Sequence, residues 1–149
     1  MKSAWVTSKG KLEIRTEEYE KPKKDEVVVK IRACGICGTD LHFFNDFPAA
    51  HPIPLGHEVS GTIEETGREV QGLSPGDSVI VQNHVPCGKC ESCRNGNVSL
   101  CRNIQTYMTD SAGMAEYLKV NQNMIVPYKA LSHEEAVIAE PLTVALDLI

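Results

Sequence analysis

Four closely spaced cysteines constrain this chain more than any other feature. They follow the spacing C-x2-C-x2-C-x7-C, at Cys87, Cys90, Cys93 and Cys101. The stretch 83–102 around them has no helix or strand periodicity, and a loop of that length needs a local source of order. Four thiolates at this spacing can surround a tetrahedral ion, and a filled four-thiolate shell is typical of structural zinc. The pattern therefore predicts a structural-zinc loop over 83–102.

Two other interpretations of these cysteines stay open. The pattern C-x2-C-x2-C also begins the bacterial ferredoxin motif, but here the fourth cysteine comes after seven residues rather than three, and Arg102 follows it instead of proline. Unrelated thiols or two disulfides are the other possibility, which a reducing compartment disfavours. A colourless protein with stoichiometric zinc would exclude the iron–sulfur cluster.

Charge and hydrophobicity exclude several classes of partner. The 149 residues carry 15 Lys and Arg against 20 Asp and Glu, so the formal net charge is −5. That sign opposes binding to phosphate backbones, and we expect no nucleic-acid partner. No stretch reaches the roughly 18 apolar residues of a membrane span, and the N-terminus lacks the features of a secretory signal. These observations predict a cytoplasmic protein with no membrane partner.

Alternating apolar residues predict a mainly β fold for the first 127 residues. The strongest strand pattern is 26–33, where Val27, Val29, Ile31 and Ala33 share one face. Further strands are predicted at 3–7, 12–16, 59–65, 79–81, 115–120 and 124–127. Short strands separated by Gly and Pro turns favour a small barrel or sandwich.

The segment 132–149 has helical rather than strand character. Ser132 and Glu135 form a capping-box pattern, and Pro141 is expected to open a second helix. The apolar stripe predicted for that second helix consists of Leu142, Ala145, Leu146 and Ile149. Because no C-cap signal follows this stripe, we expect the sequence to be part of a longer protein.

A second set of possible metal ligands lies outside the four-cysteine loop. The run C-G-I-C-G-T-D-L-H contains Cys34 and Cys37, the segment G-H-E contains His57 and Glu58, and Glu140 comes far downstream. Thiolate, imidazole and carboxylate together suit a catalytic zinc, which takes three protein ligands and keeps one position open. Taken singly, each residue also has an ordinary structural explanation as a buried thiol, a core histidine or a solvated carboxylate.

The order of these motifs resembles the zinc-containing medium-chain alcohol and polyol dehydrogenases. Besides the motifs above, the resemblance includes a late E-P-L, Gly61, a G-D-x-V turn at 76–79 and a G-x-A-E-Y segment at 113–117. It extends over nearly the whole chain. It implies the N-terminal catalytic domain of such an enzyme, a GroES-like, partly open β-barrel with short helices, the zinc loop and a C-terminal helical segment that leads toward a Rossmann domain.

The resemblance also implies a role for each candidate site residue. Cys37 and His57 would bind the catalytic zinc, with Glu58 or Glu140 as the third ligand, and Cys34 would be a small buried thiol. A glutamate at position 140, where alcohol dehydrogenases carry a cysteine, points toward the sorbitol and other polyol dehydrogenases.

Three residues of the C-G-T-D-L-H segment have implied or expected roles in support of the zinc. Thr39 would take the alcohol proton, and His42 would pass it toward solvent by way of the cofactor ribose. Asp40 is expected to accept the ring N–H of His57, or else to cap a helix.

The implied reaction is the oxidation of a secondary alcohol or sugar alcohol to a ketone by zinc-assisted hydride transfer to NAD or NADP. Two zinc ions per chain, a small alcohol or polyol substrate and a dimeric or tetrameric full-length enzyme are expected. No G-x-G-x-x-G motif occurs in the 149 residues, so we expect the isolated chain to bind zinc without turnover. The alternative from another class is a non-enzymatic, zinc-stabilised GroES-like binding or assembly module.

Overall fold

The computed structural model describes residues 1–146, and short β-strands dominate it. The strands are β1 (Lys2–Ser8), β2 (Lys11–Thr16), β3 (Glu26–Gly35), β4 (Ile53–Pro54), β5 (Glu58–Thr66), β6 (Ser78–Val81), β7 (His84–Val85), β8 (Gln105–Thr106), β9 (Tyr117–Asn121) and β10 (Ile125–Pro127). The helices are α1 (Gly38–Asp46), α2 (Glu91–Arg94), α3 (His133–Ala136) and α4 (Ala139–Leu146), with 3-10 turns at Val98–Leu100 and Gln122–Met124. Within the described residues, none of these helices is long and apolar enough to cross a membrane.

The main sheet has five antiparallel strands in the order β10-β6-β5-β3-β9, and a three-stranded sheet β2-β1-β4 lies beside it. The register between β3 and β5 shifts twice, between Val28 and Val29 and between Ile31 and Ala33. Such irregularities bend and twist a strand pair, and here they help curl the sheet into a half-barrel. The prediction of a mainly β, partly open barrel is therefore confirmed.

The core is formed mainly by residues of this sheet, and the sequence pattern located it well. Val27, Val29, Val59 and Ile63 are at most 1% exposed, as their alternation predicted. Burying each such side chain stabilises the fold by roughly 1.5–3 kcal/mol. Val28, on the other face of β3, is also buried, so this strand is covered on both faces at its first half.

Two predicted element boundaries differ from the structure. β9 begins at Tyr117 rather than at 115, because Ala115 makes an isolated pair with Ser3 instead of extending the ladder to β3. The second helix begins at Ala139 and not at Pro141. Pro141 still lies in the first turn, where a backbone N–H has no intrahelical acceptor, so proline costs the helix nothing there.

The predicted capping box at the start of α3 is confirmed. Ser132 Oγ accepts the Glu135 N–H at 3.1 Å, and the Glu135 carboxylate accepts the Ser132 N–H at 2.8 Å. In the stripe expected on α4, Leu142 and Leu146 are more than half exposed, and Ile149 lies outside the described residues.

His133, the first residue of α3, makes two hydrogen bonds, of which the one from Ser60 ties the helix to β5. Buried Ser60 of β5 donates its hydroxyl to the carbonyl of His133 at 2.7 Å, and Tyr128 Oη lies 2.6 Å from His133 Nδ1. α4 follows directly and also packs against β5. This arrangement brings the first turn of α4 to the end of β5 that carries the G-H-E segment.

Candidate metal centres

The four loop cysteines converge on one point. Their Sγ atoms all lie within 4.8 Å of one another, with 3.4 Å from Cys90 to Cys93 and 4.0 Å from Cys90 to Cys101. Four sulfurs bonded at about 2.3 Å to a tetrahedral zinc would be roughly 3.8 Å apart, so this spacing fits the ion. The loop achieves it with two short turns: Cys90 caps α2, which contains Cys93, and Cys101 ends the 3-10 turn that follows.

The electrostatics of this group also favour a bound cation. Backbone N–H groups of Cys93 and Arg102 lower the pKa of the Cys90 thiol to about 6. Burial and the neighbouring sulfurs raise the pKa of Cys93 to about 12. Four adjacent thiolates repel one another, and a bound divalent cation would offset that repulsion and allow all four thiols to be deprotonated. All six cysteines are free thiols, so the disulfide interpretation finds no support.

Cys37, His57 and Glu58 form a second group, whose ligand atoms also lie within 4.8 Å of one another. Different segments supply them: Cys37 immediately precedes α1, and His57 leads into β5, where Glu58 is the first residue. His57 is 5% exposed, whereas Cys37 and Glu58 are partly exposed. Three donors at the rim of the core match a metal site that keeps one coordination position open.

The ring of His57 and the chemistry of the three donors bear on which ion this group could hold. Its Nδ1 is buried and has no hydrogen-bond partner. Such an unpaired buried polar atom costs about 1–3 kcal/mol and needs an explanation. A soft thiol, an imidazole and a carboxylate in one place form a donor set that zinc accepts, so the residues present fit the ion.

Asp40 does not make the hydrogen bond predicted for it. Its Oδ1 lies 4.0 Å from His57 Nδ1, which is too long. Instead Oδ2 accepts the Cys37 N–H and Oδ1 accepts the Gly56 N–H, both at 2.9 Å. The capping alternative is therefore the one that the structure confirms. Asp40 is 4% exposed, and by bridging Cys37 to Gly56 it fixes the segments that carry the cysteine and the histidine.

Two glycines make the close packing of this group possible. Gly56 has φ +90°, a left-handed conformation that side chains rarely adopt, and it turns the chain into His57. Gly35 pairs with Glu58 in the β3–β5 ladder, and a β-carbon at Gly35 would overlap Glu58 Oε2. Sequence reasoning missed this role of Gly35, although a glycine within a strand is a known sign of close approach.

Glu140 lies near this group without joining it. Its Oε1 accepts a hydrogen bond from Asn83 Nδ2 at 3.0 Å, and it is not among the donors that lie within 4.8 Å of one another in the described chain. Burial, and next the charge of Glu140, raise the pKa of Glu58. Asn83 also escaped sequence reasoning, because no pattern marks a contact between residues 57 positions apart.

The proton-relay candidates lie on one face of α1. Thr39 Oγ1 is 3.7 Å from Cys37 Sγ, at the edge of the metal group. His42 is one turn further along, exposed, with its Nδ1 2.9 Å from Asp46 Oδ2. The two residues are three positions apart and therefore neighbours on the helix surface.

Cys34 belongs to neither group of possible ligands in the described chain. Its thiol donates a weak hydrogen bond to the carbonyl of Gly35 at 3.5 Å. Burial raises the pKa of this thiol to about 12.

Comparison with known proteins identifies the family. Residues 23–130 match the alcohol dehydrogenase GroES-like domain. The chain belongs to this family. The resemblance drawn from the motifs is thereby confirmed, as is the GroES-like fold.

Relatives of known name are dehydrogenases. Sorbitol dehydrogenase of Bacillus subtilis is 34% identical over 98% of this chain and 44% of its own length. L-threonine 3-dehydrogenase of Pyrococcus horikoshii is 39% identical over 89% of this chain and 40% of its own length. The crystal structure of galactitol-1-phosphate dehydrogenase from Escherichia coli superposes with a TM-score of 0.90 at 34% identity, over 98% of this chain and 43% of that one. The GroES-like chain thus spans less than half the length of these relatives.

Proposed function

We propose that this chain is the catalytic-zinc-binding portion of an NAD(P)-dependent alcohol or polyol dehydrogenase. The reaction is the oxidation of a secondary alcohol or sugar alcohol to a ketone. The observation that carries the proposal is the group of Cys37, His57 and Glu58, in which three donors of suitable chemistry meet at the edge of the core. Membership in the GroES-like family and the polyol dehydrogenase among its relatives support it.

Two zinc ions per chain follow from the two donor groups. Cys37, His57 and Glu58 would hold the catalytic ion, and Glu140 is the alternative carboxylate for the third ligand position. The cysteines 87, 90, 93 and 101 would hold the structural ion. When bound at the first site, zinc supplies a Lewis acid that lowers the pKa of a substrate hydroxyl.

Proton transfer falls to residues of α1. The Thr39 hydroxyl, beside Cys37, takes up the proton that the alcohol loses while it releases its own hydroxyl proton toward the cofactor ribose. His42, one turn away and in contact with water, carries that proton to solvent, and Asp46 keeps its ring in one orientation. Asp40 takes no proton in this scheme, because its two oxygens are engaged by backbone N–H groups.

Several further features belong to the proposal. NAD or NADP would bind to chain beyond these 149 residues, which carry no dinucleotide motif, and the isolated chain would be inactive. Zinc held by thiolates requires reduced cysteines, which supports a cytoplasmic location.

The full-length enzyme would be a dimer or tetramer acting on a small alcohol or polyol. A non-enzymatic zinc-stabilised module would need the four-cysteine site alone, so the second donor group favours the enzyme.

The test is a dehydrogenase assay of the natural full-length protein. Secondary alcohols, sugar alcohols and L-threonine are offered with NAD or NADP, and reduced cofactor is followed by absorbance. We expect oxidation of at least one alcohol, and a loss of about a thousandfold or more in kcat/KM for His57→Ala, since a metal ligand acts in the transition state. The matched control is His51→Ala, at an exposed position. Absence of turnover in zinc-loaded protein, or full activity of His57→Ala, would overturn the proposal.

A further inference from the structure

Asn83 joins the start of the four-cysteine loop to Glu140 of α4 by a hydrogen bond. It lies directly before β7, at the entrance to the four-cysteine loop, and its Nδ2 donates to Glu140 Oε1 at 3.0 Å in a partly buried contact. Glu140 lies in the first turn of α4, which packs against the strand that begins with Glu58. The amide of Asn83 thus binds the carboxylate of Glu140, the other candidate for the third ligand position.

Two carboxylates are available for one ligand position. Glu58 lies within 4.8 Å of the Cys37 and His57 ligand atoms, whereas Glu140 is not in that group. Glu140 is still near enough for its charge to act on Glu58. A carboxylate oxygen that accepts a hydrogen bond from a fixed amide must lose that bond before it can turn to a cation.

Contacts other than the Asn83 hydrogen bond also position α4, which packs against β5 and follows α3 directly. Ser60 and Tyr128 fix His133 at the start of α3, and the Thr143 hydroxyl donates to the carbonyl of Glu140 at 2.7 Å. Removing the Asn83 amide would therefore release the Glu140 side chain while the helix stays in place.

We infer that Asn83 is a positioning residue that holds Glu140 away from the catalytic metal and so leaves Glu58 as the third ligand. The inference rests on the proposed metal site. In this proposal Asn83 determines which of the two carboxylates binds the metal, and it does not contact the substrate. Without the amide, Glu140 can replace Glu58.

The test measures metal affinity, independently of enzyme activity. The full chain is loaded with one equivalent of zinc, which the four-thiolate site retains in preference to cobalt, and Co²⁺ is then titrated while its visible absorption reports binding beside the Cys37 thiolate. Glu58→Gln is expected to weaken Co²⁺ binding at least about tenfold, in the range seen for altered metal sites. Glu140→Gln should change it less than about twofold, since that carboxylate is not a ligand in this state.

Asn83→Ala then provides the decisive comparison. In the Glu58→Gln background it should restore Co²⁺ affinity by about fivefold or more and shift the cobalt spectrum, because a freed Glu140 becomes the ligand. Adding Glu140→Gln to that pair should abolish the restoration. The matched control is Asn121→Ala, which also removes a partly buried amide-to-carboxylate bond, from Asn121 Nδ2 to Asp25 at 2.9 Å, and should restore nothing.

The outcomes separate this inference from the proposed function. If Asn83→Ala restores no affinity to Glu58→Gln, or if restoration persists without Glu140, the role of Asn83 is overturned while the metal site stands. If the unmodified chain with zinc in its four-cysteine loop binds no Co²⁺ at all, both the inference and the proposed catalytic site are overturned.

Discussion

Gly35 lies opposite Glu58 in the β3–β5 ladder, and the Glu58 carboxylate occupies the space that a β-carbon at Gly35 would fill. The same strand pairing that builds the half-barrel therefore also places a donor of the second metal group. Cys37, only two residues after Gly35, is brought to the same end of the sheet. The β3–β5 pairing thus contributes both to the fold and to the candidate site.

Replacing Gly35 by alanine should damage the metal group while leaving the barrel folded. The added methyl would displace Glu58, and we expect affinity at the Cys37 and His57 site to fall about tenfold or more. Metal titration of the folded variant, with circular dichroism as the check on folding, measures this. Gly38→Ala is the matched control, since a β-carbon at Gly38 meets nothing within 4 Å. Equal affinities in the two variants would show that the space beside Glu58 is not required.

The capping box of α3 should make stability depend on acid pH. Hydrogen bonds from Ser132 lower the pKa of Glu135, so the ionised carboxylate stabilises the fold above the pKa of the unfolded chain. This stabilisation is lost as the pH falls through the lower pKa of the folded state. Urea midpoints of Glu135→Gln should therefore be below those of the unmodified chain at pH 7, and the two should converge as the pH falls through the lowered pKa of the folded state.

The neighbouring glutamate supplies the control for this pH effect. Glu134 lies on the same short helix and is exposed, and Glu134→Gln should leave the urea midpoint at pH 7 nearly unchanged. A Glu135→Gln difference that stays constant as the protein is titrated through the acid range in which carboxylates protonate would argue against the capping carboxylate as its source.

Sequence patterns predicted the features that depend on residues close together in the chain. The alternation in β3 and β5 located the core, because the face on which a side chain lies follows from its position within its own strand. The cysteine spacing located the four-thiolate group, because these residues are neighbours in sequence and in space. The capping box of Ser132 and Glu135 is local in the same sense. These features needed no knowledge of the tertiary fold.

What the sequence could not predict depends on contacts across the fold. The Asn83 to Glu140 hydrogen bond joins distant segments whose meeting follows only from the docking of α3 on β5. The expected bond from Asp40 to His57 fails because two backbone N–H groups, including that of Gly56, already occupy the carboxylate. Whether Asp40 accepts from backbone N–H groups or from the His57 ring depends on the tertiary geometry, which the residue spacing does not determine.

Cys34 should be unreactive toward alkylating reagents in the folded protein. Burial raises the pKa of its thiol to about 12, so at pH 8 only about one molecule in ten thousand carries the reactive thiolate. Alkylation with iodoacetamide, followed by peptide mass spectrometry, should leave Cys34 unmodified under native conditions and label it fully in denaturant. The thiol is partly buried rather than fully buried, and early labelling of Cys34 in the native protein would contradict its assignment as a structural thiol.

The most direct test of the central claim, two independent metal sites, is the zinc content of the purified chain and two variants. We expect two zinc ions per unmodified chain. His57→Ala should keep the zinc of the four-cysteine loop and lose the other, and Cys90→Ser should do the reverse and destabilise the loop. One zinc per unmodified chain, or equal loss of both ions in both variants, would contradict the account.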